Sequence, residues 1–139
     1  MKKILLIITL SVVVISCGNQ DPHDQLGYLD GYWEIEKVTL ADGTEKEFSI
    51  STTVDFIEVS GMQGVRTKVN PKLDGSFVAN PTTETFRIAV EDDSLRLYYS
   101  TPYDSWKETV LKAKDSSLVV LNSDGKVYFY KKFAKFNFD

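Results

Sequence analysis

The sequence predicts an all-β domain, an antiparallel up-and-down β-barrel of about eight strands, with a two-sheet β-sandwich as the alternative. Three observations carry this. Strand-length runs alternate apolar and polar residues, as in Leu95, Leu97 and Tyr99, a period of two that gives a strand one dry face. Turn chemistry separates the runs at short, even spacing: Asp42-Gly43, Asp74-Gly75, Asn80-Pro81, Glu91-Asp92-Asp93-Ser94, Thr101-Pro102 and Asp124-Gly125. No stretch after Gly31 keeps a helical period.

The chain opens with a different pattern. Met1-Lys2-Lys3 is positive, and Ile4 to Ile15 is apolar apart from Thr9 and Ser11. This is the layout of an export signal. The run is too short to cross a bilayer, which takes about 20 apolar residues. Val14-Ile15-Ser16-Cys17 resembles the lipobox of bacterial lipoproteins. The resemblance implies cleavage after Ser16, a diacylglyceryl thioether on Cys17 and acylation of the new amine. The signal peptide is then 1–16. Cys17 is the sole cysteine, so with its thiol consumed no disulfide is available. In some Gram-negative lineages acids after the lipidated cysteine direct export to the surface; here Asp21 and Asp24 are interrupted, and both membrane faces stay open.

Residues 17–30 read as the lipidated cysteine and a flexible tether reaching about 40 Å at most. His23 stands there between Asp21 and Asp24. One imidazole on a mobile segment binds transition metals weakly, so no metal site is expected. Removing the 16 signal residues from 139 leaves 123, enough for one domain with a sizeable core. Two of the 16 Lys+Arg lie in the signal, so the mature chain has 14 against 20 Asp+Glu, a formal charge of −6. That balance excludes nucleic acid as an expected partner.

The domain spans 31–139. Trp33 and Ile35 share one phase while Val38 and Leu40 take the other, which a bulge near Glu36-Lys37 produces; Val54 and Phe56 against Ile57 and Val59 repeat the slip. Val65, Thr67 and Val69 alternate with Arg66, Lys68 and Asn70, and Phe86, Ile88 and Val90 alternate with Thr85, Arg87 and Ala89. On this phase Arg66, Lys68, Arg87 and Arg96 all point outward, leaving no cation inside. Slips of this kind bend strands and close sheets.

The order of parts from Gly31 to Phe133 resembles the lipocalin-like domain of small bacterial lipoproteins. Gly31-Tyr32-Trp33 matches the family's G-x-W at the start of the first strand. The resemblance implies that Gly31 and Trp33 mark the barrel's closure, with Trp33 beneath a basic side chain from the far end of the chain, Lys131 or Lys132.

Enzymatic chemistry finds few residues. Nucleophilic triads need a base, yet His23 is the one histidine and lies in the tether. Glu34 and Glu36 share a polar strand face and read as a solvated edge. Gly61-Met62-Gln63-Gly64 has no helix after it to form a phosphate loop. No enzyme activity and no cofactor are expected. Aromatics are the surplus, all 17 lying after residue 27. Phe86, Ile88, Leu97, Tyr99, Trp106 and Phe129 are the candidates to line the barrel, either filling it or holding a small apolar ligand. Tyr128 and Tyr130 take the phase opposite to Phe129 and are expected outside, as a strip for a protein or polysaccharide. The sequence thus predicts a lipid-anchored protein of the bacterial cell envelope, at the outer membrane, either carrying an apolar ligand or displaying an interaction surface.

Overall fold

A computed structural model describes residues 20–48 and 53–134; of Asn80 and Pro81 only the backbone is described. The signal peptide and Cys17 lie outside these residues. In chain order the elements are α1 (Pro22–Leu26), β1 (Gly31–Thr39), β2 (Glu45–Glu47), β3 (Val54–Ser60), β4 (Gln63–Pro71), β5 (Phe77–Glu91), β6 (Ser94–Ser100), β7 (Ser105–Ala113), β8 (Ser117–Asn122) and β9 (Val127–Lys132).

The strands form one antiparallel sheet in the order β2-β1-β3-β4-β5-β6-β7-β8-β9, and pairing of β1 with β9 closes it. Eight strands make the barrel. The three-residue β2 pairs with Lys37 to Thr39, while β3 pairs with the start of β1, Gly31 to Trp33. Local chemistry sets the turns. Three Asp-Gly hairpins share one geometry: Gly43, Gly75 and Gly125 each donate to a carbonyl three residues back, at Leu40, Lys72 and Asn122. Each glycine has a φ of 80° to 90°, a region that costs other residues strain. Between β5 and β6, Asp92 and Asp93 both have positive φ, 51° and 58°, as a two-residue hairpin of the primed type requires.

Bulges bend the wall. One falls between Ile35 and Lys37 on β1, where the phase slip placed it; others fall between Thr67 and Val69 and between Val110 and Lys112. The slip on β3 has another cause. Its pairing with β4 is continuous from Val54↔Val69 to Ser60↔Gln63, so Val54 and Phe56 simply face outward and Ile57 inward. Both faces are apolar because both are covered. The arm formed by the ends of β4 and β5 returns to the outer wall, where the rings of Phe77 and Tyr32 stack at 4.5 Å and those of Tyr32 and Phe56 at 4.3 Å.

The core holds Leu29, Trp33, Ile57, Phe86, Ile88, Leu95, Leu97, Tyr99, Val110, Leu118 and Val120. Residues 20–30, expected as a free tether, are instead fixed to the barrel's end. Gln20 exchanges two hydrogen bonds with the Ala113 backbone, at 2.6 and 3.1 Å. Asp21 accepts from the His23 N–H and caps α1. Leu29 is fully buried, and the Asp30 carboxylate accepts from the Val59 N–H at 2.6 Å. Asp21 and Asp24 therefore sit around a capped helical turn; His23 is exposed there.

Candidate functional site: a filled interior and an outer groove

At the closed end, Trp33 is 1 % exposed and donates from Nε1 to the Leu29 carbonyl at 2.9 Å. Of the two candidate lysines, Lys132 lies over the ring, 4.5 Å from its centroid, and donates to the Asp30 carbonyl at 3.0 Å. Gly31 has a φ of 129°, and a Cβ there would meet the Lys132 side chain. The glycine is thus what admits the lysine. Lys131 instead reaches Glu34 at 3.6 Å.

Four of the six expected lining residues come together inside: Phe86, Ile88, Leu97 and Tyr99 are each at most 3 % exposed. Trp106 is half-buried and stacks on Tyr99 at 5.1 Å. Phe129 does not join them. It pairs with Val119, while Tyr128 and Tyr130 pair with the inward Val120 and Leu118. Phe129 therefore faces out, with the Lys37 ammonium 4.5 Å from its ring, and Tyr128 and Tyr130 pack on the core. The expected outer strip of Tyr128 and Tyr130 is corrected to an inner one. Register with β8 decides the phase, because a one-residue slip turns every side chain over.

The interior also holds a cation, contrary to the expectation that Arg66, Lys68, Arg87 and Arg96 all point outward. Arg66 is cross-strand partner of Glu84 on one side and Ile57 on the other, and so faces in. Its Nη2 meets Glu84 Oε2 at 3.0 Å and its Nη1 meets Glu108 Oε1 at 3.6 Å. The guanidinium lies 4.4 Å from the centroid of Tyr99. Lys68 pairs with Asp55 at 2.9 Å near the rim. Arg87 and Arg96 do lie outside, Arg87 over the Tyr98 ring at 4.5 Å and Arg96 against Thr109.

Burial pushes the Glu108 carboxyl up, and the adjacent Arg66 opposes it. Burial also raises the Tyr99 and Tyr130 phenols, so both are uncharged at neutral pH. Burial alone would lower the Arg66 pKa, but its surroundings hold it above the ordinary value. At neutral pH the partners that can do this are carboxylates, since the phenols carry no charge. The arrangement is an internal ion cluster, with one Arg66 hydrogen-bond donor, Nε, left without a partner among the described residues.

Around these groups the barrel leaves a void of about 10 Å³, lined by Leu29, Trp33, Asp55, Arg66, Tyr99, Glu108 and Tyr130 among others. That is room for about one water. A much larger space, about 1090 Å³, is lined by three adjacent cross-strand rows spanning β3 to β7. The middle row is Val59, Gly64, Phe86, Tyr99 and Trp106, which take the inward phase, Val59 and Trp106 being only half-buried. Its flanks are Glu58, Val65, Thr85, Ser100 and Ser105 on one side and Ser60, Gln63, Arg87, Tyr98 and Lys107 on the other. Those ten take the outward phase, so the space is a groove on the outer wall. It carries five hydroxyl or amide side chains, Ser60, Gln63, Thr85, Ser100 and Ser105, and Tyr98, whose hydroxyl donates to Glu91 at 2.5 Å.

Of the groove's lining, the sequence singled out only the middle-row rings Phe86, Tyr99 and Trp106, as barrel-lining candidates; the outward rows were not, because hydroxyl residues on outward positions look like ordinary solvated strand faces. Arg66 was missed because Val65, Thr67 and Val69 form the more apolar phase of β4. The signal pointing the other way was Gly64: a Cβ there would meet the Phe86 ring, which marks the inward face.

An eight-stranded, closed, up-and-down barrel with a Trp-and-lysine closure defines the class of this protein. The family model described as a lipocalin-like domain matches residues 29–120, and the chain belongs to that family. Among solved structures, the chain is similar to a lipocalin-like protein from Bacteroides uniformis, with 16% identity, 77% of this chain and 100% of that one covered, and a TM-score of 0.49. It is also similar to apocrustacyanin C1, with 11% identity, 87% and 73% coverage and a TM-score of 0.46. Apocrustacyanin C2 has the same identity and TM-score with 85% and 67% coverage. No curated protein matches the chain.

Proposed function

We propose that this protein is a non-enzymatic, lipid-anchored binding module of the bacterial cell envelope, held at the outer membrane through Cys17, whose ligand lies in the outer groove rather than inside the barrel. The observation that carries this is the contrast in space: about 10 Å³ inside against about 1090 Å³ outside. A small apolar guest in the barrel would have to displace packed aromatic rings and face an ion cluster, and separating Arg66 from Glu84 and Glu108 leaves charges buried and unpaired.

The lining indicates the ligand class. Protein interfaces are anchored by apolar and aromatic side chains buried at their centre; here the lining mixes apolar surface, from Val65, Tyr98 and the half-buried Val59 and Trp106, with hydroxyl, amide and charged side chains. Sugars match such a lining, because each ring presents hydroxyls for Ser, Thr and Gln side chains and C–H faces for an aromatic. A groove crossing five strands suits an extended polymer, so the ligand class is a polysaccharide segment. Arg87 and Lys107 against Glu58 leave little net charge, which favours a neutral one.

Calorimetric titration of the detergent-solubilised chain with neutral oligosaccharides of four to six sugars tests this. Binding should be weakened at least tenfold by Tyr98→Ala, and matched alkyl acids, alcohols and amines should not bind. Tight binding of an alkyl chain with no response to any oligosaccharide would return the ligand to the barrel.

A further inference from the structure

The position of Gln20 has a consequence for how the domain stands on its membrane. Only Gly18 and Asn19 separate Cys17 from Gln20, so three residue steps span at most about 11 Å. Gln20 is bonded twice to Ala113, Leu29 is fully buried and Asp30 is held by Val59 and Lys132. The segment that would act as a swivel is therefore part of the barrel's floor. α1 packs against β6 and β7, at the end that also carries the Glu91–Ser94 and Ala113–Ser117 turns.

We infer that this floor is a membrane-facing surface: the short link from Cys17 holds the α1 end of the barrel against the headgroup layer that contains its own acyl chains, and the opposite end, with the Ser100–Ser105 and Asn122–Val127 turns, faces away. This rests on the lipidation of Cys17 proposed above. The floor carries Asp21, Asp24, Asp30, Asp92, Asp93 and Asp115 against Lys114 and Lys132, so charge does not draw it to anionic lipid; the covalent link and the Gln20 bonds hold it there. The orientation also inclines the groove, whose Ser60–Gln63 end lies by the floor and whose Ser105–Lys107 end lies by the far rim. A polysaccharide in it would run outward from the bilayer.

The test places one nitroxide on the full acylated chain in phosphatidylcholine vesicles, at Asp115→Cys on the floor or Ser123→Cys at the far end. The two sites are separated by about 20 Å along tilted strands. A paramagnetic nickel chelate on the lipid headgroups should relax the Asp115→Cys label at least fivefold more than the Ser123→Cys label. Ten Gly and Ser residues inserted between Gly18 and Asn19 should erase that difference. Equal relaxation in the uninserted chain, with the protein floating with the vesicles and incorporating fatty acid, overturns the fixed orientation alone. Absence of fatty-acid incorporation overturns the anchor and, with it, this inference.

Discussion

Trp33 and Arg66 show what single residues contribute. Trp33 is buried, hydrogen-bonded through Nε1 and roofed by Lys132, so its removal leaves a cavity at the closure. Trp33→Ala should cost about 3 to 5 kcal/mol in denaturant unfolding, as large aromatic truncations in cores do; a loss under about 1 kcal/mol would put the ring outside the core. Glu108 gives a pH signature. Its folded-state pKa is raised by burial above the ordinary carboxyl value of 4.5, so between the unfolded and folded values the folded chain binds more protons than the unfolded one. Stability from this group is therefore greatest at and below about 4.5 and falls as pH rises through the folded pKa. Glu108→Gln, which cannot ionise, should lack that fall, and urea unfolding of both chains from pH 4 to 8 measures it. A wild type that gains stability over the variant as pH rises would contradict the assignment. The sequence made Trp33 readable because a glycine two residues before a tryptophan opens the strand pattern. Arg66 stayed hidden because nothing local says that its cross-strand neighbours are Glu84 and Ile57.

Strands and turns were readable where local chemistry decides them and obscure where partners decide them. The Asp-Gly turns and the bulge beside Glu36 followed from glycine's backbone freedom and from a change of phase. The faces of β4 and β9 did not: on β4 the more apolar phase, Val65, Thr67 and Val69, is the outward one, on β9 both phases carry apolar residues, and only pairing with the neighbouring strands chooses the face. The same ambiguity hid the outer cover. Phe77 lies between Tyr32 and an edge contact with Phe133 at 5.9 Å, so the β4–β5 arm gives the outer wall of β1 and β3 a small apolar cluster of its own. Phe77→Ala should lower stability by about 1 to 2 kcal/mol, below a full core truncation because the ring is half-buried. It should also raise amide hydrogen exchange in residues 69–79 well above the rest of the sheet. Unchanged exchange there would mean that the backbone ladder alone holds the arm. Residues 20–30 read as a tether because they are polar and short in apolar groups; what fixes them is two bonds from the Gln20 side chain to the Ala113 backbone, the buried Leu29, and the bonds of Leu29 and Asp30 to Trp33, Val59 and Lys132.

For the whole molecule, closure by eight tilted strands leaves a lumen about the width of its own side chains, and here aromatic rings and an ion cluster occupy it. The proposed function puts stability and binding on different faces of one wall: inward rows pack, and outward rows across β3 to β7 line the groove. The barrel was readable as a whole because alternation and turn spacing accumulate along the chain, whereas a groove exists only once five strands lie side by side. Amide chemical-shift mapping of the labelled chain in detergent tests this division most directly. Titration with a neutral oligosaccharide should move the signals of Arg87, Tyr98, Ser100 and Lys107, and titration with a long-chain alcohol, acid or amine should leave Trp33, Ile57 and Tyr130 where they are. Saturable shifts at Trp33, Ile57 and Tyr130 with an apolar chain, and none along the groove with any oligosaccharide, would contradict it.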